Sequence, residues 1–494
     1  MKYLKTVRRI LAVVMLCVMT LLFLDFTGTL HAYFGWMAKV QFLPAVLAIN
    51  VVVIVALLCL TLLFGRVYCS VICPLGIMQD LISWLSARRK KYRFRFSFSP
   101  EKKWLRYGFL GLFLVLLIAG IGSLFTLLDP YASFGRMVSQ FLRPIYVWGN
   151  NVLADMAERA NSYTFYQKEV WIKSLPTLLV AIGSFVLVAV LAWRGGRTYC
   201  NTICPVGTLL GFFSRFSLFR PTIDTEKCNG CGLCSKGCKA SCINSQEHQI
   251  DYSRCVTCFD CVNTCHQGAI SYTWRRKKQN SEKPVDNGRR QMMAATAILA
   301  TTATIEAQHK RVDGGLAVIE DKKVPERKTP IVPAGAQSLK HFSQHCVACQ
   351  LCITACPNNV LRPSTQLSRM MQPEMSYEHG YCRPECTKCS EVCPAGAIVK
   401  IAKEVKASTQ IGHAVWVAQN CLSARGEAQC NNCAHHCPSG AITMVPVNAN
   451  DENSLLRPAI DTERCIGCGA CENLCPSRPL SAIYVEGVER HRVI

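Results

Sequence analysis

The sequence predicts an α-helical membrane domain of four spans, with a fifth crossing near 291–305 left open, followed by two small cysteine-rich α+β domains. Three observations carry this. The long apolar runs are concentrated before position 195. Of 31 cysteines, 25 fall between 228 and 475. Those cysteines recur in short, regularly spaced runs. A chain of 494 residues has room for several units. We divide it into a polytopic membrane domain (1–215), a first cysteine domain (216–275), a linker (276–340) and a second cysteine domain (341–494).

Segments near 10–30, 42–64, 104–128 and 175–193 each approach the ~20 residues a helical span requires. Asp25 interrupts the first. A cleaved leader is disfavoured there, because no small-residue cleavage site follows and three further spans do. Lysine and arginine mark one side of the bilayer. "MKYLKTVRR" precedes span one, "RRKKYRFR" at 88–95 lies between spans two and three, and "RGGR" at 194–197 follows span four. That side reads as the cytoplasm, so 129–174 faces outward. Cys17 and Cys59, inside spans, read as ordinary core residues.

Several chemistries are excluded. Only His31 of 11 histidines lies in the membrane region, and no Cys-x-x-Cys-His occurs, so neither b-type nor c-type haem finds its ligands. No Walker loop or dinucleotide fingerprint is present, which leaves no nucleotide site. The formal net charge of +23 suggests nucleic acid at first sight. Much of that excess flanks the spans, and bound clusters would offset part of it, so a nucleic-acid partner is rejected.

"CNGCGLCSKGC" (228–238) and "CVTCFDCVNTC" (255–265) both read Cys-x2-Cys-x2-Cys-x3-Cys. This is bacterial ferredoxin spacing, in which the fourth cysteine of each run ligates the cluster of the other. Cys228, Cys231, Cys234 and Cys265 are therefore assigned to one 4Fe–4S cluster. Cys255, Cys258, Cys261 and Cys238 are assigned to a second. The proline usual after the fourth cysteine is absent, since Lys239 and His266 follow. Cys242 is a ninth cysteine, either a bystander or a substitute for Cys238 as ligand.

Four further runs, at 346–357, 382–394, 421–438 and 465–476, supply 16 cysteines, enough for four more clusters and six in all. In nested four-cluster ferredoxins the outer runs exchange fourth ligands, as do the inner ones. By that analogy Cys346, Cys349 and Cys352 take Cys475, and Cys465, Cys468 and Cys471 take Cys356. Likewise Cys382, Cys386 and Cys389 take Cys437, and Cys421, Cys430 and Cys433 take Cys393.

Two features remain open. Arg289–Arg290 precedes "QMMAATAILATTATI" (291–305), which is either a linker helix or a fifth crossing with an internal twin-arginine export signal. If it crosses, everything after 306 is outside. "GRVYCSVICPLG" (65–76) is echoed by "GRTYCNTICPVG" (196–207), each directly after an apolar run. Their thiols, Cys69, Cys73, Cys200 and Cys204, read as a shared metal site, as thiol–disulfide or docking chemistry, or as turns fixed by proline.

Residues 1–280 resemble the NapH family of membrane quinol dehydrogenase subunits. The resemblance rests on the four spans, the two Cys-x3-Cys-Pro motifs and the two-cluster ferredoxin; related modules occur in NosR-type and RdxA/CcoG-type proteins. Residues 285–494 resemble NapG and MauM, exported four-cluster ferredoxins that begin with a twin-arginine segment. The whole looks like a NapH–NapG fusion with bacterial-ferredoxin-like domains. The resemblance implies a bacterial inner-membrane protein, embedded in lipid, with the first ferredoxin cytoplasmic and the second periplasmic. It implies oxidation of menaquinol or ubiquinol from the quinone pool and delivery of electrons to a periplasmic reductase or cytochrome. Asp25, Asp129 and Arg136, near the outer span ends, are the quinol-site candidates, against the commoner role of helix-end caps. A reading of another class is an assembly factor that supplies electrons for metal or cofactor insertion into a respiratory enzyme.

Overall fold

The computed structural model describes residues 2–88, 96–162, 164–168, 174–274, 320–447 and 454–494. The twin arginine and the 291–305 segment lie outside the described residues.

The chain opens with α1 (Lys2–Leu24), which at 1.5 Å per residue runs for about 34 Å. Asp25 ends it. The carboxylate accepts from the backbone N–H groups of Thr27 (3.0 Å), Gly28 (2.9 Å) and His31 (3.2 Å). A tight turn therefore replaces the outer end of the expected first span. The second expected span is broken into α2 (Phe42–Leu47) and α3 (Val51–Phe64). Ile49 there adopts φ 51°, and Asn50 caps α3 by accepting from Val53 N at 3.3 Å. α4 (Pro74–Ala87) begins at the proline of the first Cys-x3-Cys-Pro motif, where a missing N–H costs nothing.

The third expected span breaks too, into α5 (Lys103–Ile118) and α6 (Gly122–Leu128), at Gly120 with φ 70°. There follow α7 (Pro130–Met137), α8 (Arg143–Arg159), α9 (Leu175–Gly195) and α10 (Pro205–Ser214). Two of the four expected spans are thus interrupted. Among the described residues two helices, α1 and α9, are long and apolar enough to cross a membrane, while α3 and α10 are shorter apolar helices. Cys17 and Cys59 are also corrected: both lie on exposed helix faces, not in the core.

Among the described residues the cysteine-rich parts contain five two-stranded antiparallel sheets. In the first part β1 (Phe219–Ile223) pairs with β4 (Ile270–Trp274), around the hairpin of β2 (Ile243–Asn244) and β3 (Gln249–Ile250). In the second, β5 (Leu361–Pro363) pairs with β6 (Pro373–Met375) and β7 (Thr409–Trp416) with β10 (Ile483–Val493). β8 (Ile442–Pro446) pairs with β9 (Leu456–Ile460). The helices between them have only four to seven residues.

α1 joins the two parts. Near its start Lys5 Nζ lies 2.8 Å from Asp260 in the first cysteine domain. Near its end Phe23 meets Tyr131 (5.7 Å between ring centres) and Phe134 (6.2 Å). That is where α7 touches the second domain: a Cβ on Gly135 would stand 2.6 Å from Cys349 O. The two cysteine domains thus sit at opposite ends of one long apolar helix.

Candidate iron–sulfur centres and a buried polar cluster

The second domain gathers its cysteines in four sets, and they are not the nested ones. Cys382, Cys386 and Cys389 line a cavity with Cys356. Cys421, Cys430 and Cys433 line another with Cys475, and Cys465, Cys468 and Cys471 a third with Cys437. Cys346 and Cys352 both lie in the field of Cys349 and of Cys393. Each run therefore exchanges its fourth cysteine with its immediate neighbour in sequence. The sets expected by nesting, with Cys475, Cys356, Cys437 and Cys393 as respective fourth members, are corrected accordingly. The cause is local packing. The helix Leu351–Ala355 lies against Lys388–Val392, and Asn432–His435 against Ala470–Leu474.

A pair of double variants reads this out. Cys346→Ser/Cys393→Ser strikes one set and should cost about four irons per chain, whereas Cys346→Ser/Cys475→Ser strikes two and should cost about eight. Iron and acid-labile sulfide analysis checks it; the reverse order would restore the nested arrangement.

In the first domain Cys238, Cys255, Cys258 and Cys261 line one cavity. Cys242 stands inside it, with Sγ 3.6 Å from that of Cys238 and its side chain also bonded to Cys255. Cys228, Cys231 and Cys234 lie within one another's field, and Cys265 is half-buried. Beside the cavity is a charge network the sequence did not announce. Lys239 Nζ lies 3.1 Å from Asp80 and 3.0 Å from Asp260, and Asp80 also receives Arg197 Nε (2.7 Å) and Arg8 (3.0 Å). Burial pushes the Asp80 carboxyl up, but Arg197, Lys239 and Arg8 outweigh it and hold the group far below the usual carboxylate range. In the second domain Lys322 donates to the carbonyls of Glu472, Asn473 and Cys475 at 2.7, 2.8 and 3.0 Å. Burial lowers its pKa to about 8.

The predicted quinol candidates part company. Asp25 is spent on its turn, with His31 Nδ1 at 3.1 Å from the second carboxylate oxygen. Asp129 caps α7 with Oδ2, which accepts from Ala132 N at 2.9 Å, while Oδ1 is buried with no hydrogen-bond partner among the described residues. Arg136, fully buried, donates through Nη2 to Thr126 O and Ser133 Oγ, both at 3.0 Å; among the described residues its Nε and Nη1 are left without partners, as is Ser139 Oγ. Burial raises the Asp129 carboxyl to about 6, against the Ala132 N–H and the Arg136 charge. The polar cluster is thus incomplete, and Tyr131 sets it beside the Cys349 side chain.

The Cys-x3-Cys-Pro thiols converge as well. Cys69, Cys73, Cys200 and Cys204 are buried, and Cys204 lies in the field of the other three.

Three cavities lined by four cysteines and one lined by five fit iron–sulfur clusters, whose irons take soft thiolate ligands. Together with the two-stranded ferredoxin-like frames they define an iron–sulfur electron-transfer protein. Residues 46–93 and 177–223 match a 4Fe–4S binding domain family, and 345–397 and 428–478 a 4Fe–4S dicluster domain family. The first dicluster match spans runs one and two of the second domain, which agrees with exchange between neighbours. The ferredoxin-type protein MauM of methylamine utilization from Methylophilus methylotrophus is 31% identical over 171 residues, covering 33% of this chain and 72% of MauM. The ferredoxin-type protein NapH of Escherichia coli K12 is 27% identical over 241 residues, covering 47% of this chain and 70% of NapH. An uncharacterized protein of Methanocaldococcus jannaschii, MJ0749, is 40% identical over 84 residues; the chain spans only 33% of its length, against 17% of this chain. The chain belongs to the family of ferredoxin-type iron–sulfur proteins that includes MauM. No solved structure matches it.

Proposed function

We propose that the chain is a membrane-bound iron–sulfur protein that oxidises quinol and passes the electrons to a periplasmic reductase or cytochrome. The observation that carries the reading is the incomplete polar cluster of Asp129 and Arg136 beside Cys349. Six 4Fe–4S clusters, one for each set of cysteines, supply single-electron transfer when bound. A quinol becomes a quinone by losing two electrons and two protons. In this reading Asp129 Oδ1 takes one hydroxyl proton, releases it and then takes the second. In the same reading Arg136 Nη1 and Nε donate to the other head-group oxygen. Deep burial keeps bulk water away and strengthens both contacts. The placement of the two cysteine domains at opposite ends of α1 supports the first being cytoplasmic and the second periplasmic.

Adding a quinol analogue to purified, cluster-loaded protein should reduce the clusters, followed by EPR redox titration. If the analogue never reduces them although dithionite does, the donor assignment fails. Deletion separates electron donor from assembly factor: loss of a donor leaves an acceptor enzyme that carries its cofactor and still works with artificial donors.

A further inference from the structure

We propose that Cys69, Cys73, Cys200 and Cys204 together hold a seventh 4Fe–4S cluster, one centre shared between the two sequence repeats and standing between the two ferredoxin domains. The inference rests on the electron-transfer reading above and adds the route by which electrons reach both domains.

The two repeats, 65–76 and 196–207, agree as Gly-Arg-x-Tyr-Cys-x2-Ile-Cys-Pro-x-Gly. In the structure they clasp each other across a local pseudo-twofold. Arg66 Nη2 donates to Cys200 O at 3.1 Å, and Arg197 Nη1 to Cys69 O at 2.6 Å. The final glycine of each repeat makes the clasp fit. A Cβ on Gly76 would strike Cys69 O and the Arg197 guanidinium; a Cβ on Gly207 would strike Cys200 O and the Arg66 guanidinium. A turn stiffened by proline explains neither the crossed arginines nor the paired glycines. Two repeats built to meet do.

The sulfurs are surrounded by donors. Gln79 Nε2 lies 3.2 Å from Cys200 Sγ, and Gly207 N 3.3 Å from Cys204 Sγ. Arg66 Nη2 is 3.7 Å from Cys69 Sγ, and Arg197 Nη1 3.9 Å from Cys200 Sγ. Neutral thiols ask for little of this, whereas thiolates around a cluster use such donors to set their potential. The charge points the same way. Arg66 is fully buried and, among the described residues, forms no ion pair with a carboxylate, and its Nε has no hydrogen-bond partner. A buried unpaired guanidinium is costly. Four thiolates around an oxidised cubane carry roughly −2, which answers Arg66 and part of the positive charge around Asp80.

A cubane fits better than zinc. Zinc draws four sulfurs to about 2.3 Å from one point. Among the described residues no three potential ligands lie close enough to hold a single ion, here or in the ferredoxin-type cavities. A cubane is bound at its corners and asks for wider spacing.

The position suits a relay. Towards the first ferredoxin, Arg197 N donates to Lys239 O at 2.8 Å, next to Cys238, and Arg66 Nη1 to Ser253 O at 3.1 Å, two residues before Cys255. Towards the second, Tyr199 Oη donates to Leu128 O at 3.4 Å, beside Asp129, and Tyr131 then faces Cys349. One electron enters from a reduced cluster on one side and one leaves to an oxidised cluster on the other. No bond breaks and no proton moves.

The test begins with the full-length native protein, purified without oxygen. Iron and sulfide analysis should give about 28 irons per chain, against about 24 for six cubanes. A Cys204→Ser variant should lose about four irons and one EPR-active cluster while keeping the rest. In that variant quinol should still reduce the clusters held within 341–494 but leave those of 216–275 oxidised. A native count of about 24 irons, or of 24 with one zinc, overturns the proposal without depending on any variant's folding. Reduction of the 216–275 clusters at the native rate in Cys204→Ser overturns the relay. A count of about 28 with no reduction by quinol leaves the seventh centre standing and removes the quinol reading instead.

Discussion

Replacing Asp129 with asparagine should lower quinol-driven reduction of the clusters by about 10²–10⁴-fold, the range for removing a positioned general base. Reduction by dithionite, which bypasses the quinol, should be unchanged. The substitution keeps the shape of the side chain, and the amide oxygen can still accept from Ala132 N and cap α7. What is lost is the proton acceptor. The pH profile carries the sign. Burial raises the Asp129 carboxyl to about 6, so below that value it is protonated and cannot accept. The native rate should therefore rise as pH increases through about 6, and Asp129→Asn should lack that rise. Arg136, Tyr68, Tyr131, Tyr199 and Cys349 share the field of this carboxylate. Stopped-flow reduction at several pH values checks both statements; a variant as fast as the native protein would place the quinol elsewhere.

Stripping the iron with a chelator should unfold both cysteine domains and leave the long apolar helices standing. Their sheets have two strands each, and a lone two-stranded hairpin is marginal in water. Their helices have four to seven residues, far below the ~12–15 at which an isolated helix begins to hold. Cysteines occupy the positions where a larger domain would place leucines: Cys346, Cys349, Cys352, Cys465, Cys471 and Cys475 are all buried. When ligands are organised only by the metal, binding energy is folding energy. Limited proteolysis after chelation should cut within 216–274 and 320–494, with α1 and α9 protected in detergent. An unchanged digestion pattern after full loss of iron would show that side-chain packing suffices.

Much of this was legible in the sequence because metal ligation imposes short, rigid spacing. The runs at 228–238 and 465–476 needed no tertiary information to be read as ferredoxin motifs. Partnership between runs was less legible. Cys393 and Cys475 are equivalent by spacing, and only the packing of the helix Lys388–Val392 on its neighbour Leu351–Ala355 sets Cys393 beside Cys346. Hydropathy likewise detected the apolar segments but not their breaks. Gly120 and the Ile49–Asn50 turn are single local events inside apolar runs, and a window of ~20 residues averages over them. Asp25 and Asp129 looked alike as isolated acids near span ends. One is saturated by its own turn and the other keeps an unpartnered oxygen, a distinction made by backbone geometry.

The crossed arginines also set a timetable for biosynthesis. Arg66 finds its carbonyl on Cys200, 134 residues further along the chain. At 5–20 residues per second that partner emerges roughly 7–27 s later. For that interval Cys69 and Cys73 must wait as reduced thiols, with neither their clasp nor their second pair of sulfurs. A nascent chain can keep them so only where the surroundings are reducing, so the proposed seventh centre calls for reducing conditions while it is put together.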